Sequence, residues 1–399
     1  MQKLLTLLRR SCAVAGLAGL GAAAPCAYAG EPYKPARDSV VLERLPWRAD
    51  GEGARLASLR KAASLRPGDA VAAVELARHA FLLASAHGDS RWAGMGEAAL
   101  KPWWDKPDAP PDVLLMRALL KQYRHEFDAA LYDLGLALKA APTRADIRTW
   151  RVAIHLVHAD IEAARADCEA LALTSQRQEL RECRAWISGH SGDAQGAYAE
   201  FRRLAALTPE SAGARRWLFA QLADNALRLG RVADAEAHLR DALALPGPDH
   251  AALIALADLL LDHGRAREAM ALLGAEHQSD AALLRRSLAR RKLGDPVWRE
   301  EADRLQERYR AARVRGEALR ESDEARLRLE LFDQPAAALA LAQSNWRIQR
   351  ESADARILLE AALAAKMPQA ARPVLEWLER TRIQEPRLIE LARTLRPAG

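Results

Sequence analysis

From residue 111 onward the apolar positions repeat with helical spacing, break at a turn, and resume on a second helix before the cycle starts again. Small residues recur where two such helices would cross. The clearest unit runs from Pro111 to Pro142, with Ala118 in the first helix, Ala130 and Leu134 in the second, then Ala137, and Pro142 as the stop. Val152, Ala164, Cys168 and Leu171 occupy the same places in the next unit, followed by Ala185, Ala197, Phe201, Leu204 and Pro209. The pattern continues through Ala223, Ala235, Leu239 and Ala242, then Ala257, Ala269 and Leu273, and returns near the C-terminus at Leu359, Ala371, Leu375 and Leu378. The repeat length is roughly 31–37 residues, which points to stacked helix pairs rather than to separate domains. The physical logic is direct: alanine at a crossing lets two helices approach closely, a bulky residue in the second helix fills the gap, and proline ends the unit. Leu229-Gly230-Arg231 and His263-Gly264-Arg265 put glycine where a helix C-terminus needs a left-handed residue.

Two stretches depart from the rhythm. Residues 69–110 read as a long helix, a turn at His87-Gly88-Asp89, a second helix ending at Trp103-Trp104, and a proline-marked connector. Within 296–320, Trp298, Ala302, Leu305, Tyr309, Ala312, Gly316 and Leu319 alternate spacings of four and three. That spacing is the seam of a packed helix, turned either to the solenoid itself or to a partner helix. Arg387 to Leu395 reads as a short capping helix over the last apolar face.

These residues resemble the tetratricopeptide repeat, a helix-turn-helix unit, over about 54–396 and best over 111–278. The aromatic at that family's fourth position and the glycine at its eighth are mostly absent. The resemblance implies an all-α, right-handed α-solenoid whose first helices line a concave groove for peptides or protein segments. Carried over by position, it nominates Glu182, Trp186 and His190, then Trp217 and Asp224, then Asp258 and Asp262, then Arg286 and Arg290. Trp186 and Trp217 read in two ways, as exposed anchors in the groove or as fillers between helices. Across these positions the groove would grade from acidic to basic.

Composition narrows the function. Half of the 399 residues are hydrophobic, 5% are aromatic and 28% are charged, so the chain can bury a core and is not disordered. Its formal charge of +6 invites a nucleic-acid reading, but residues 1–29 carry Lys3, Arg9 and Arg10 and no acidic residue. That stretch, with small apolar residues from Ala13 to Ala24 and an Ala27-Tyr28-Ala29 ending before Gly30, has the form of a cleavable signal peptide. Removing it leaves 56 basic against 53 acidic residues, dispersed along the chain, so nucleic acid is not expected as a partner. Periplasmic export follows from this reading. The alternative, an outer-membrane lipoprotein anchored through Cys26, has Pro25 where a small residue is expected. Residues 30–53 read as an extended tether or strap, and 397–399 as a tail. No later segment is apolar enough for a membrane span, since Ala251–Leu261 carries Asp258.

Catalytic chemistry is not evident. No glycine-rich phosphate loop follows a strand, and no nucleophile elbow appears. His155, His158 and Asp160 share a helical neighbourhood, but no second ligand pair completes a metal shell, so neither metal nor cofactor is expected. His190 sits in a Ser/Gly turn and reads as solvated. Cys168 and Cys183 fall at similar heights on adjacent antiparallel helices, either as a disulfide permitted by an oxidising compartment or as two small buried residues. The sequence therefore points to a non-catalytic binding scaffold of the cell envelope. Its alternative is a glycan- or small-ligand-binding solenoid with tryptophans stacked on sugar rings.

Overall fold

The computed structural model describes residues 51–173, 177–207, 211–274, 277–315 and 321–396, together with Arg37, Ser39 and Val40. The expected signal peptide, nearly all of the expected tether and the tail at 397–399 lie outside the described residues. The chain divides into two units, Met1–Pro46 and Trp47–Gly399, and every described helix belongs to the second.

A leading helix, α1 (Gly51–Leu65), takes in the last three residues of the expected tether. Helix pairs follow it. They are α2 (Ala70–His87) with α3 (Ser90–Leu100), α4 (Pro111–Tyr123) with α5 (Phe127–Ala140), and α6 (Ala145–Val157) with α7 (Ile161–Ala170). Next come α8 (Arg177–Gly189) with α9 (Ala194–Ala206), α10 (Ala212–Arg228) with α11 (Val232–Ala244), and α12 (His250–Asp262) with α13 (Ala266–Leu273). The last pairs are α14 (Asp280–Leu293) with α15 (Trp298–Val314), α16 (Glu321–Arg326) with α17 (Pro335–Ile348), and α18 (Ser352–Ala364) with α19 (Arg372–Thr381). A single helix, α20 (Pro386–Leu395), closes the array. No strand occurs among the described residues, and none of their helices is long and apolar enough to cross a membrane.

Local chemistry explains these boundaries. Asp69, Asp160, Asp193, Ser211, Asp249 and Ser279 each accept backbone N–H bonds at a helix start, satisfying donors the helix leaves free. The turns within successive pairs place His125, Ala159, Gly192, Gly230 and Gly264 in the left-handed region. The frame residues fill the core as their spacing predicts: Ala118, Ala130, Leu134, Val152, Ala164, Ala235, Ala257 and Ala269 are all fully buried. Burial of these crossings is what holds neighbouring pairs together.

The two irregular stretches turn out to be regular pairs. α15 is the second helix of its pair, and Ala302, Leu305, Tyr309 and Ala312 face the core, so that seam is spent inside the solenoid. Gly316 and Leu319 lie outside the described residues. The connector after α3 is pinned by Arg117 on α4, whose guanidinium donates to the carbonyls of Trp103, Trp104 and Lys106. The same group is ion-paired with buried Asp133 of α5.

Cys168 and Cys183 join α7 to α8 with their sulfurs in bonding contact and a Cα–Cα separation of 5.9 Å. The link closes a 15-residue separation, and on the chain-entropy model such a loop contributes about 3 kcal/mol. Chain freed of Cys12 and Cys26 and unfolded without reductant is expected to show no reactive thiol. Replacing both bonded cysteines with serine should lower the unfolding midpoint accordingly.

The array also coils back on itself. Backbone Arg350 N–H donates to Val157 O at 2.8 Å, and the Arg350 guanidinium donates to His158 O at 2.9 Å. His125 Nδ1 meets Gln349 Oε1 at 2.8 Å, and Ala159 packs on the C-terminal core. Gly192 lies so close to Arg382 that a Cβ there would stand 2.8 Å from the arginine Cβ, a space only glycine leaves. Gly230 approaches Pro386 in the same way. Four consecutive inner turns thus rest on the loops that precede α18 and α20, and successive coils touch.

Candidate functional site

The inward face is carried by the first helix of each pair. On α8 it is a stripe of Glu179, Glu182, Trp186 and His190, at helical spacings of three and four. Asp224 and Arg228 continue it on α10, and Asp258 and Asp262 on α12. Glu179 and Arg228 were not among the residues nominated from the sequence, and the nominated ones meet three different fates.

On α12 the acids are already occupied. Asp258 receives Arg285 at 2.8 Å and Arg326 at 2.7 Å, and Arg285 also reaches Asp323 at 2.6 Å. Burial opposes ionisation of Asp258, but the two guanidinium groups outweigh it and hold the carboxyl well below the usual range. Asp262 pairs with Arg356 at 2.6 Å and with Arg387 at 2.8 Å, so helices from two later units close on it. Burial opposes its ionisation as well, and Arg356 and Arg387 again prevail.

The basic end expected on α14 is not on this face. Arg286 is 7% exposed and donates to Glu301 of α15 and to the Gly274 and His277 carbonyls. Arg290, one turn on, pairs with Asp295 and Glu301. The small residue at this crossing is Ser287, fully buried, whose hydroxyl donates to Leu283 O at 2.8 Å. With serine in place of alanine at the crossing, the inward arginine is Arg285, which the sequence frame passed over.

A second group stands where the coils meet. His190 is not solvated: its Nδ1 bonds Trp186 O at 2.9 Å, and Arg228 Nη2 lies 3.1 Å from its Nε2. Burial, reinforced by Arg228, pushes its pKa down to about 3, so it stays neutral and accepts from the arginine. Asp224 keeps accessible surface, and desolvation raises its carboxyl against the pull of Arg228. Glu385, at the start of α20, faces the same arginine and is also raised by burial, with Asp224 adding to the effect.

The third group has no such partner set. Trp186 and Trp217 are half-buried and meet edge to face, with centroids 5.6 Å apart and planes at 85°. Phe201 also meets Trp217 edge to face, with centroids 5.6 Å apart. Each tryptophan packs against the core and keeps exposed surface. Beside them Glu182 accepts from Gln178 at 2.9 Å. Burial raises its carboxyl, and the neighbouring Glu179 charge adds to that.

The histidine pair considered for metal does not converge. His155 turns to Asp167, with Nε2 at 3.5 Å, while His158 packs against the Phe127 ring. Among the described residues no group of three or more His, Cys, Asp or Glu is arranged to hold a metal. A cavity of about 460 Å³ that the sequence did not suggest opens between α1, α2 and the start of α4, beside exposed Val71 and Leu82. It is a surface cleft whose polar lining is Arg55, Glu75, Arg78, His79 and Asp112.

No family model and no curated protein matches the chain. Among solved structures it is similar to a chain of the APC/C hetero-tetramer Cut9–Hcn1 at 13% identity and TM-score 0.49, covering 82% of this chain and 63% of that one. It is also similar to a tetratricopeptide repeat protein from Parabacteroides merdae, at 13% identity and TM-score 0.31, covering 81% and 98% of the two chains. The tetratricopeptide domain of P58(IPK) matches at 15% identity and TM-score 0.20, covering 86% and 92%. At these identities and TM-scores the likenesses carry no argument about function, and the fold rests on the helices themselves. With helices paired throughout and the crossings in the expected frame except at α14, the chain is a tetratricopeptide-like α-solenoid.

Proposed function

We propose that the protein is a non-catalytic scaffold that holds a segment of a partner protein against the open part of its inward face, at Glu182, Trp186 and Trp217. The observation that carries this reading is the pair of half-exposed tryptophans beside an acid that, among the described residues, accepts from Gln178 alone. Aromatic anchors with one apolar face and one polar edge are the side chains that most often concentrate binding energy. The signal-like leader and the bonded cysteines support action in the periplasm.

A photo-crosslinking residue placed at Trp217 tests the site. It should capture a discrete partner from envelope extract, whereas the same group at exposed Tyr132 of α5 should not. Equal capture from both positions, or capture from Tyr132 alone, would remove the inward face from consideration.

A further inference from the structure

The partner's chemistry can be read from what the same face already holds. On α12 the inward acids Asp258 and Asp262 bind four arginines of this chain, Arg285, Arg326, Arg356 and Arg387. The face is thus an arginine-binding surface along the part that the following coil reaches. α8 lies on the same face two pairs earlier. Its C-terminal end, at His190, meets Arg228, and Gly192 beyond it meets Arg382. Its N-terminal half carries Glu179 and Glu182 one turn apart, and neither carboxylate has a basic side chain within ion-pairing distance among the described residues. Glu179 Oε2 is shielded from solvent and makes no hydrogen bond to the described residues.

Resting on the groove reading above, we propose that this stretch takes a cationic segment of a partner protein, with an arginine or lysine seated between Glu179 and Glu182 and its stem against Trp186 and Trp217. The charge is complementary, and the site continues an interface the chain already makes with its own arginines. The tryptophans suit such a segment because a guanidinium stacks favourably on an indole face, and a charge-assisted bond to a carboxylate is roughly twice as strong as a neutral one. A flanking acidic segment would instead face two carboxylates with no counter-charge and be repelled.

The full-length protein is titrated calorimetrically with three synthetic peptides of one length, in which glycine and serine are interspersed with arginine, glutamine or glutamate. The arginine peptide is expected to bind. The Glu179→Gln/Glu182→Gln variant should weaken it at least tenfold, while Asp241→Asn/Glu307→Gln, which removes two exposed acids elsewhere, should change it less than about twofold. If the two variants weaken binding equally, attraction is merely global and the proposal fails. If the glutamine or glutamate peptide binds as well and depends on Trp217→Ala, the groove reading survives and the cationic chemistry is overturned. If no peptide binds, both are overturned.

Discussion

Replacing Asp133 with alanine is expected to destabilise the fold by about 3–5 kcal/mol, the cost of stripping one partner from a buried ion pair. Asp133 is fully buried on α5 and holds two cations, Arg117 at 2.7 Å through Nε and Lys121 at 2.7 Å. Without it Arg117, 2% exposed, keeps its carbonyl partners but loses its counter-charge. Lys121 already lies 5.8 Å from the centre of the Trp104 ring and is less buried than Arg117, so most of the loss falls on Arg117. The reverse change, Arg117→Met, also releases the connector, because three carbonyls lose their donor. An apolar pair, Arg117→Met with Asp133→Leu, should recover much of the charge penalty but not the connector. Denaturant midpoints for the three variants separate these contributions, and equal midpoints for Asp133→Ala and the native chain would contradict the account.

The second large effect is expected at Asp258. Asparagine there should cost roughly 3 kcal/mol, the lower end of the buried-pair range, because the side chain keeps 24% of its surface. Arg285 and Arg326 would be left facing each other, although Arg285 retains Asp323 and Arg326 retains Glu330. The pH dependence follows from the direction of the shift. The folded carboxyl ionises below its unfolded value, so its stabilisation is present above the ordinary carboxylate range and fades as pH falls through the lowered folded value. Asp262 behaves alike. Native protein should therefore lose stability on acidification more steeply than Asp258→Asn, and parallel acid-denaturation curves would refute the assignment.

Much of the fold was legible because a close helix crossing admits only small residues, and that demand recurs at fixed spacing. Ala118 with Ala130, or Ala257 with Ala269, announce their pairs without any tertiary knowledge. The frame slipped at α14 because Ser287 does at that crossing what alanine does elsewhere, so Arg286 and Arg290 were assigned to the wrong side of the helix. What local pattern does not encode is how the small rotation between neighbours accumulates along the array. Only that sum brings Arg326 to Asp258 across 68 residues and Arg356 to Asp262 across 94. The sequence thus nominated Glu182, Asp224, Asp258 and Asp262 but passed over Glu179, and the structure shows that Asp258 and Asp262 are answered from within.

The most direct test of that division is hydrogen exchange at the backbone amide of Arg350. This residue sits between α17 and α18, outside any helix, and its N–H is bonded to Val157 O, far back in the chain. If successive coils touch, the Arg350 amide should exchange slowly, at a rate comparable to the neighbouring helical amides, and Asp262→Lys should accelerate it. Exchange as fast as an unbonded turn amide in the native protein would mean that the coils stand apart and that the acids of α12 are as open as those of α8.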